Sequence, residues 1–282
     1  MTIPQTVRST DGVELALHDF GGEGPVLFVC HATGFCAGPY RPMAARLLDR
    51  YHVVALDFRG HGDSTAPESG DFDWEGMIDD VLAVADVLGR PVFGFGHSMG
   101  GAAVLGAERR SPGTFRSAFV FEPIVIPAEF VNHAPQPNPL AESARRRRPT
   151  FPSRPDALAR YASRPPLGVF RSDALAAYVD GGFADTPGGE VTLKCLPEVE
   201  AAVFDATGKP TPQHLSEVKV PVTLAIGHRD PGPGPAEFGR IAAPFLPDGT
   251  LLDCPTLGHF GPFQDPDLVA DEIITAFASV EV

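Results

Sequence analysis

The chain has 282 residues, of which 43% are hydrophobic and 21% are charged, proportions that are typical of a folded globular protein. Its 22 basic residues against 36 acidic residues give a net charge of −14. Nucleic acid and anionic membranes both bind basic surfaces, so this charge argues against either as a partner.

The sequence shows neither the pattern of a targeting signal nor a cysteine motif. The first ten residues lack the apolar core of a secretory signal peptide, and no segment has the roughly 20 apolar residues that span a bilayer. The four cysteines have neither metal-ligand nor redox spacing. We therefore expect a cytoplasmic protein without a membrane span.

Strand and helix patterns alternate along most of the chain. A hairpin turn signal at Asp11-Gly12 comes first. Short apolar runs, typical of strands buried on both faces, occur at Pro25–Cys30, His52–Leu56, Pro91–Phe95, Ser117–Phe121 and Val220–Ile226. Helical patterns occur at Trp74–Leu88, Ala102–Arg110, Ala236–Ala243 and Asp267–Phe277. This alternation predicts an α/β fold with a mostly parallel sheet and helices on both faces.

The alternation breaks within residues 127–216, where prolines are frequent and helical patterns are short. Asp156–Ser163 and Ser172–Val179 are the clearest of these patterns. We predict that residues 1–126 and 217–282 form the core and that residues 127–216 are inserted as a mainly helical cap.

Two features of the predicted cap leave alternatives open. The run Arg145–Arg148 is typical of a solvated helix face, although it could bind an anionic substrate. The second feature is a set of aromatic residues that either roof the site or form the cap's own core, namely Phe151, Phe170, Phe183 and Phe204.

A serine at a sharp turn is the strongest chemical signal. Gly96-His-Ser-Met-Gly100 follows an apolar strand and precedes an alanine-rich helix, the context in which G-x-S-x-G acts as a nucleophile elbow. Gly96 and Gly100 lack a Cβ, so strand and helix can pack closely while Ser98 is pushed above the sheet. The alternative is a glycine-rich turn with an incidental serine.

A serine nucleophile needs a base, and that base needs an orienting carboxylate. In a parallel sheet such groups project from loops at the carboxyl ends of the strands. His259 lies in the loop before the closing helix, and Asp230 follows the strand that ends at Ile226. Glu122, directly after the strand that follows the elbow helix, is the alternative acid. We prefer Asp230 because it completes a Gly227-x-x-Asp pattern.

From about residue 12 onwards, the chain resembles enzymes of the α/β-hydrolase fold. The resemblance rests on Gly96-His-Ser-Met-Gly100, on Asp57-Phe-Arg-Gly-His-Gly-Asp-Ser64, and on the order Ser98, Asp230, His259. It implies that Ser98 is the nucleophile, His259 the general base and then acid, and Asp230 the orienting acid. Some members of the fold place the acid where Glu122 stands.

The resemblance also implies an oxyanion hole. One donor would be the backbone N–H of Met99, and the other would come from the loop after the Pro25–Cys30 strand. Related hydrolases carry His-Gly-x there, whereas this chain has His31-Ala32-Thr33-Gly34. Counting from the histidine indicates Thr33 as the second donor.

The expected activity is cleavage of a small-molecule carboxylic ester or related acyl compound through an acyl-enzyme. A C–C bond hydrolase, a lactonase or a cofactor-free perhydrolase could use the same triad, and a non-catalytic ligand receptor is the alternative from another class. No phosphate-binding loop occurs, because Gly96-x-x-x-Gly100-Gly101 lacks the following Lys and Ser or Thr. We expect neither a cofactor nor a bound metal.

Overall fold

The computed structural model describes residues 3–127, 130, 137–228, 234–278 and 280. Its strands are β1 Thr6–Arg8, β2 Glu14–Gly21, β3 Val26–Cys30, β4 His52–Leu56, β5 Val92–His97, β6 Phe115–Phe121, β7 Thr150–Phe151, β8 Phe183–Asp185, β9 Val191–Leu193, β10 Val222–Gly227 and β11 Gly249–Cys254.

The helices of the described residues are α1 Arg41–Ala45, α2 Trp74–Leu88, α3 Met99–Arg110, α4 Pro139–Arg145, α5 Arg154–Ala162, α6 Ser172–Gly182, α7 Pro197–Asp205, α8 Pro235–Ala242, α9 Gly261–Gln264 and α10 Pro266–Phe277. Short 3-10 helices lie at Gly38–Tyr40, Leu167–Val169, Pro212–Glu217 and Ala243–Phe245. No helix of the described segments is long and apolar enough to cross a membrane, and the cytoplasmic location stays a prediction.

Eight strands form one sheet in the order β1-β2-β4-β3-β5-β6-β10-β11. The first two pairings are antiparallel and the remaining ones are parallel. Hydrophobic clusters cover both faces, which is why the central strands read as continuous apolar runs. The predicted α/β-hydrolase fold is confirmed.

Strand register brings the carboxyl ends of the central strands together at one edge. Cys30 pairs with Gly96 between β3 and β5, and His97 pairs with Phe121 between β5 and β6. Phe121 in turn pairs with Ala225 of β10. Loops that leave β3, β5, β6 and β10 therefore start side by side.

The segment between β6 and β10 is not wholly helical. Besides α4 to α7 it contains a small antiparallel sheet in the order β7-β9-β8. These strands have two or three residues each, too short for a pattern of alternating side chains to be visible in the sequence. The division of the chain at residues 127 and 216 stays a prediction.

Candidate active site

Ser98 stands at the turn between β5 and α3 with a left-handed backbone (φ 56°, ψ −116°). The adjacent glycines make this turn possible. A Cβ on Gly96 would lie 2.6 Å from the Cα of Gly101, and one on Gly100 would collide with the carbonyl group of Cys30. The start of α3 is therefore pressed against the end of β3, and its first N–H groups lie beside the serine.

His259 is hydrogen-bonded to both Ser98 and Glu122. Its Nδ1 lies 2.7 Å from Oε2 of Glu122, and its Nε2 lies 3.1 Å from Oγ of Ser98. A carboxylate can only accept, so Nδ1 carries the hydrogen and Nε2 is the acceptor for the serine hydroxyl. The three side chains therefore have the bonding pattern of a nucleophile, a base and an orienting acid.

Glu122 is held firmly in this position. Its side chain is 2% exposed, and its Oε1 accepts a 2.7 Å hydrogen bond from the N–H of Gly227. Its own N–H donates to the carbonyl of Ala225 at 2.8 Å. The carboxylate is thus tied to the end of β10 as well as to His259.

The acid preferred from the sequence, Asp230, lies outside the described residues. Glu122, the alternative acid, is the carboxylate that the described chain places on Nδ1 of His259. The preference for Asp230 rests on the Gly227-x-x-Asp pattern, although both acids follow the ends of two adjacent parallel strands.

The loop after β3, residues 31–37, is fastened by side chains from other parts of the chain. The N–H of Ala32 donates to Tyr40 Oη at 3.1 Å, and that of Gly34 donates to His61 Nε2 at 3.1 Å. Within the described chain, neither the Thr33 N–H nor the Met99 N–H takes part in a hydrogen bond.

The histidines that brace this loop are neutral. His31 donates from Nδ1 to the carbonyl of Ala32 and accepts at Nε2 from the N–H of Phe58. Burial, with a further contribution from nearby His61, lowers the pKa of His31 to about 3. Burial likewise lowers the pKa of His61, so its Nε2 stays an acceptor for Gly34.

One group of described residues has ligand atoms close enough together for a metal ion, namely His18, Asp57 and Asp63. Internal donors already occupy the oxygens of Asp57. His18 lies 2.8 Å from Oδ2, the N–H of Asp63 lies 2.9 Å from the same oxygen, and the N–H of Ala37 donates to Oδ1. This carboxylate therefore serves to hold the loop after β3.

An aromatic wall stands beside the histidine. We use that name for Phe35, Phe170, Phe260 and Phe263. The ring of Phe35 lies 5.9 Å from those of Phe170 and Phe260, and the ring of Phe260 lies 5.6 Å from that of His259. Of the four cap phenylalanines, Phe170 joins this wall.

The other three cap phenylalanines pack within the cap. Phe151 and Phe183 contact each other with ring centroids 5.7 Å apart and are buried beside Tyr161 and Tyr178. Phe204 packs on the small alanine cluster between α4 and α7. Phe170 thus lies among the rings next to His259, whereas the other three form local apolar clusters, and a roof over the site stays a prediction.

The four arginines of the run Arg145–Arg148 differ in their surroundings. Arg145 pairs with Glu142 and Asp205 on the surface, the side chain of Arg146 is 71% exposed, and Arg148 lies over the ring of Phe151. Arg147 turns inward, forms an ion pair with Glu200 and donates to Tyr178 Oη at 2.6 Å. Its charge is therefore matched inside the protein.

Comparison with known proteins agrees with the fold. The profile of the alpha/beta hydrolase family matches residues 26–272. A Mycobacterium tuberculosis protein, BpoC, whose name gives non-heme bromoperoxidase as a provisional activity, is 28% identical over 277 residues, 95% of this chain and 99% of that protein. Mouse protein phosphatase methylesterase 1 is 41% identical over 88 residues, which are 29% of this chain but only 23% of the methylesterase.

Solved structures are similar over nearly the whole chain. E-2-(acetamidomethylene)succinate hydrolase has a TM-score of 0.78 and 21% identity, covering 96% of this chain and 98% of its own. A thermophilic esterase from Thermogutta terrifontis has a TM-score of 0.72 and 23% identity, with 98% of each chain covered. At these identities the likeness shows the shared fold alone.

Proposed function

Because the chain belongs to the alpha/beta hydrolase family, we propose that it is a serine hydrolase that cleaves small carboxylic esters or related acyl compounds through Ser98, His259 and Glu122. One observation carries this proposal: His259 is hydrogen-bonded at one nitrogen to the serine hydroxyl and at the other to a buried carboxylate. We propose Glu122 as the triad acid in place of Asp230.

The proposed reaction has two halves. Ser98 Oγ attacks the carbonyl carbon while His259 Nε2 takes its proton, and Glu122 stabilises the imidazolium. The N–H groups of Met99 and Thr33 hold the oxyanion, and each such donor is typically worth about 2.7–4 kcal/mol in the transition state. The leaving alcohol takes the proton from His259. Water, deprotonated by the same histidine, then releases the acid and restores the serine.

The substrate class follows from the surroundings of the serine. The aromatic wall lies beside His259. The half-buried cation Arg147, which bonds to Tyr178 next to Phe35 of the wall, is already paired with Glu200. Neutral esters with an apolar or aromatic group fit this arrangement better than anionic ones. We therefore expect p-nitrophenyl butyrate to be cleaved with a lower KM than a succinate half-ester.

Covalent labelling tests the serine. A fluorophosphonate should add once to the wild-type protein and not at all to Ser98→Ala, and the same variant should lose hydrolysis of p-nitrophenyl butyrate. Ser117→Ala is the matched control, since Ser117 is also buried but donates to the carbonyl of Pro221 within the sheet. Full activity of Ser98→Ala would refute the proposal.

A second candidate uses the same acyl-enzyme. The full-length similarity to a protein named as a non-heme bromoperoxidase favours perhydrolysis, in which hydrogen peroxide replaces water and the product is a peracid. Peracid formation from an acetate ester and hydrogen peroxide, measured for the wild type and for Ser98→Ala, decides between water and peroxide as the preferred acceptor.

A further inference from the structure

A second chain of hydrogen bonds runs behind the proposed triad through Tyr40 and His97, both fully buried. Tyr40 Oη lies 3.1 Å from the backbone nitrogen of Ala32 and 2.9 Å from His97 Nδ1. His97 Nε2 lies 2.7 Å from the backbone oxygen of His259. One continuous path therefore joins the loop after β3 to the loop that carries His259.

The direction of every bond in this path is determined. The carbonyl of His259 can only accept, so His97 carries its hydrogen on Nε2. Burial, reinforced by the neighbouring His259, lowers the pKa of His97 well below its ordinary value, so the ring is neutral and Nδ1 is an acceptor. Tyr40 then donates to Nδ1, and its oxygen accepts from the N–H of Ala32.

The path connects three parts of the site whose relative positions the proposed reaction requires to be fixed. Ala32 precedes Thr33, the proposed oxyanion donor, and His97 precedes the nucleophile Ser98. His259 is the proposed base. We propose that Tyr40 and His97 are positioning residues that hold the oxyanion loop and the base at fixed places around Ser98. This inference rests on the proposed function.

A positioning role is chemically reasonable because neither side chain is free to do more. Both ring nitrogens of His97 are engaged in the path, and the Tyr40 ring is packed against those of Phe95 and Phe263. Misplacement of reacting groups by about 1 Å can lower a rate by about a hundredfold. Loss of the path should therefore lower kcat and leave substrate binding largely unchanged.

The test compares Tyr40→Phe with Tyr51→Phe. Tyr51 is equally buried, but its ring packs on that of Phe93 at the other end of β5. Phe93 is about 16 Å along the strand from Ser98, at ~3.3 Å per residue. Sites are counted by complete fluorophosphonate labelling, so rates refer to folded protein only. We expect Tyr40→Phe to lower kcat on p-nitrophenyl butyrate at least about tenfold with KM within about twofold, a loss of positioning without a loss of binding. Tyr51→Phe should keep both values.

Two substitutions of His97 test the two halves of the path. The amide nitrogen of Gln can replace Nε2 and keep the bond to His259, whereas the amide oxygen of Asn can replace Nδ1 and keep the bond to Tyr40. Each substitution breaks one link, so each should lower kcat with little change in KM. His97→Gln and Tyr40→Phe both remove the hydrogen bond between residues 40 and 97. The double variant should therefore have a kcat no lower than that of the slower single variant.

The outcomes separate this inference from the proposed function. If the wild type is neither labelled nor active on esters, the proposed function fails. If the wild type is active and Ser98→Ala is inactive, but Tyr40→Phe has the kcat of Tyr51→Phe, the positioning role is wrong. Additive losses from Tyr40→Phe and His97→Gln would also overturn it, because they would show two independent effects rather than one path.

Discussion

Ser98 and Glu122, which both contact His259, have left-handed backbone conformations, with φ of 56° and 43°. A positive φ is costly for residues other than glycine and is concentrated at functional sites. The third such residue in the described part of the chain is Asp11, which lies in the turn of the β1–β2 hairpin. Tertiary contacts thus hold two strained residues where the proposed chemistry needs them.

Replacement of the two candidate acids distinguishes their roles. Glu122→Gln keeps the shape of the side chain but removes the charge that stabilises the His259 imidazolium, and it can hold the ring in the wrong tautomer. We expect kcat to fall by roughly a thousandfold or more, since the equivalent change in a serine protease costs about 10⁴. Asp230→Asn should keep most of the activity. If Asp230→Asn instead lowered kcat more than Glu122→Gln, with kcat expressed per labelled active site, Asp230 would be the acid.

At the scale of elements, the loop after β3 depends on side chains that are distant in sequence. Gly34 shows this most clearly. Its φ is 78°, and a Cβ there would lie 2.5 Å from Oε1 of Glu200 in α7. Related hydrolases carry their glycine two residues earlier in this loop. In this chain the glycine at position 34 makes room for the carboxylate of Glu200, which is itself paired with Arg147.

Gly34→Ala should disturb both the loop and the cap. Gly89→Ala is the matched control, because Gly89 has the same φ of 78° but nothing within 4 Å of a Cβ. Each alanine carries a left-handed backbone penalty of about 1–2 kcal/mol. Both variants should therefore lose stability. We expect only Gly34→Ala to lower kcat in addition, by at least about tenfold, because it displaces the oxyanion donors. Equal kcat values for the two variants would contradict the role of Glu200 in placing the loop.

Elements with a strong local pattern were predictable, and elements without one were not. The helix Trp74–Leu88 has the bounds that its periodicity predicts, with the side chain of Asp73 capping it by accepting from the N–H of Glu75. β7 to β9 were missed because strands of two or three residues owe their existence to pairing with one another, which the local sequence does not encode.

At the scale of the whole molecule, three buried neutral histidines couple folding to pH. Burial lowers the pKa of His31 to about 3 from an ordinary value of 6.5, and it also lowers the pKa values of His61 and His97. Below pH 6.5 the unfolded chain therefore binds more protons at these positions than the folded one. The free energy of unfolding should fall as the pH falls through this window.

The size of this effect can be measured by urea unfolding at pH 8, 6.5, 5.7 and 5. A group that binds a proton only in the unfolded chain contributes on the order of 1 kcal/mol per pH unit, and all three histidines act in the same direction. Removal of one of them by His97→Gln should reduce the slope between pH 6.5 and 5, whatever it does to stability at pH 8. An unchanged slope in this variant, or a wild type equally stable at pH 8 and pH 5, would contradict the assignment.

The sequence by itself determined the fold and the candidate nucleophile, because both rest on short-range signals. Apolar runs and helical periodicity specify α/β alternation, and Gly96-x-Ser98-x-Gly100 specifies a turn that only small flanking residues allow. The partner of His259 was decided by the tertiary structure. The carboxyl ends of β6 and β10 lie side by side, so an acid after either strand is compatible with the topology, and only the Gly227-x-x-Asp pattern favours Asp230. The packing of backbone and side chains places Oε2 of Glu122 2.7 Å from Nδ1 of His259.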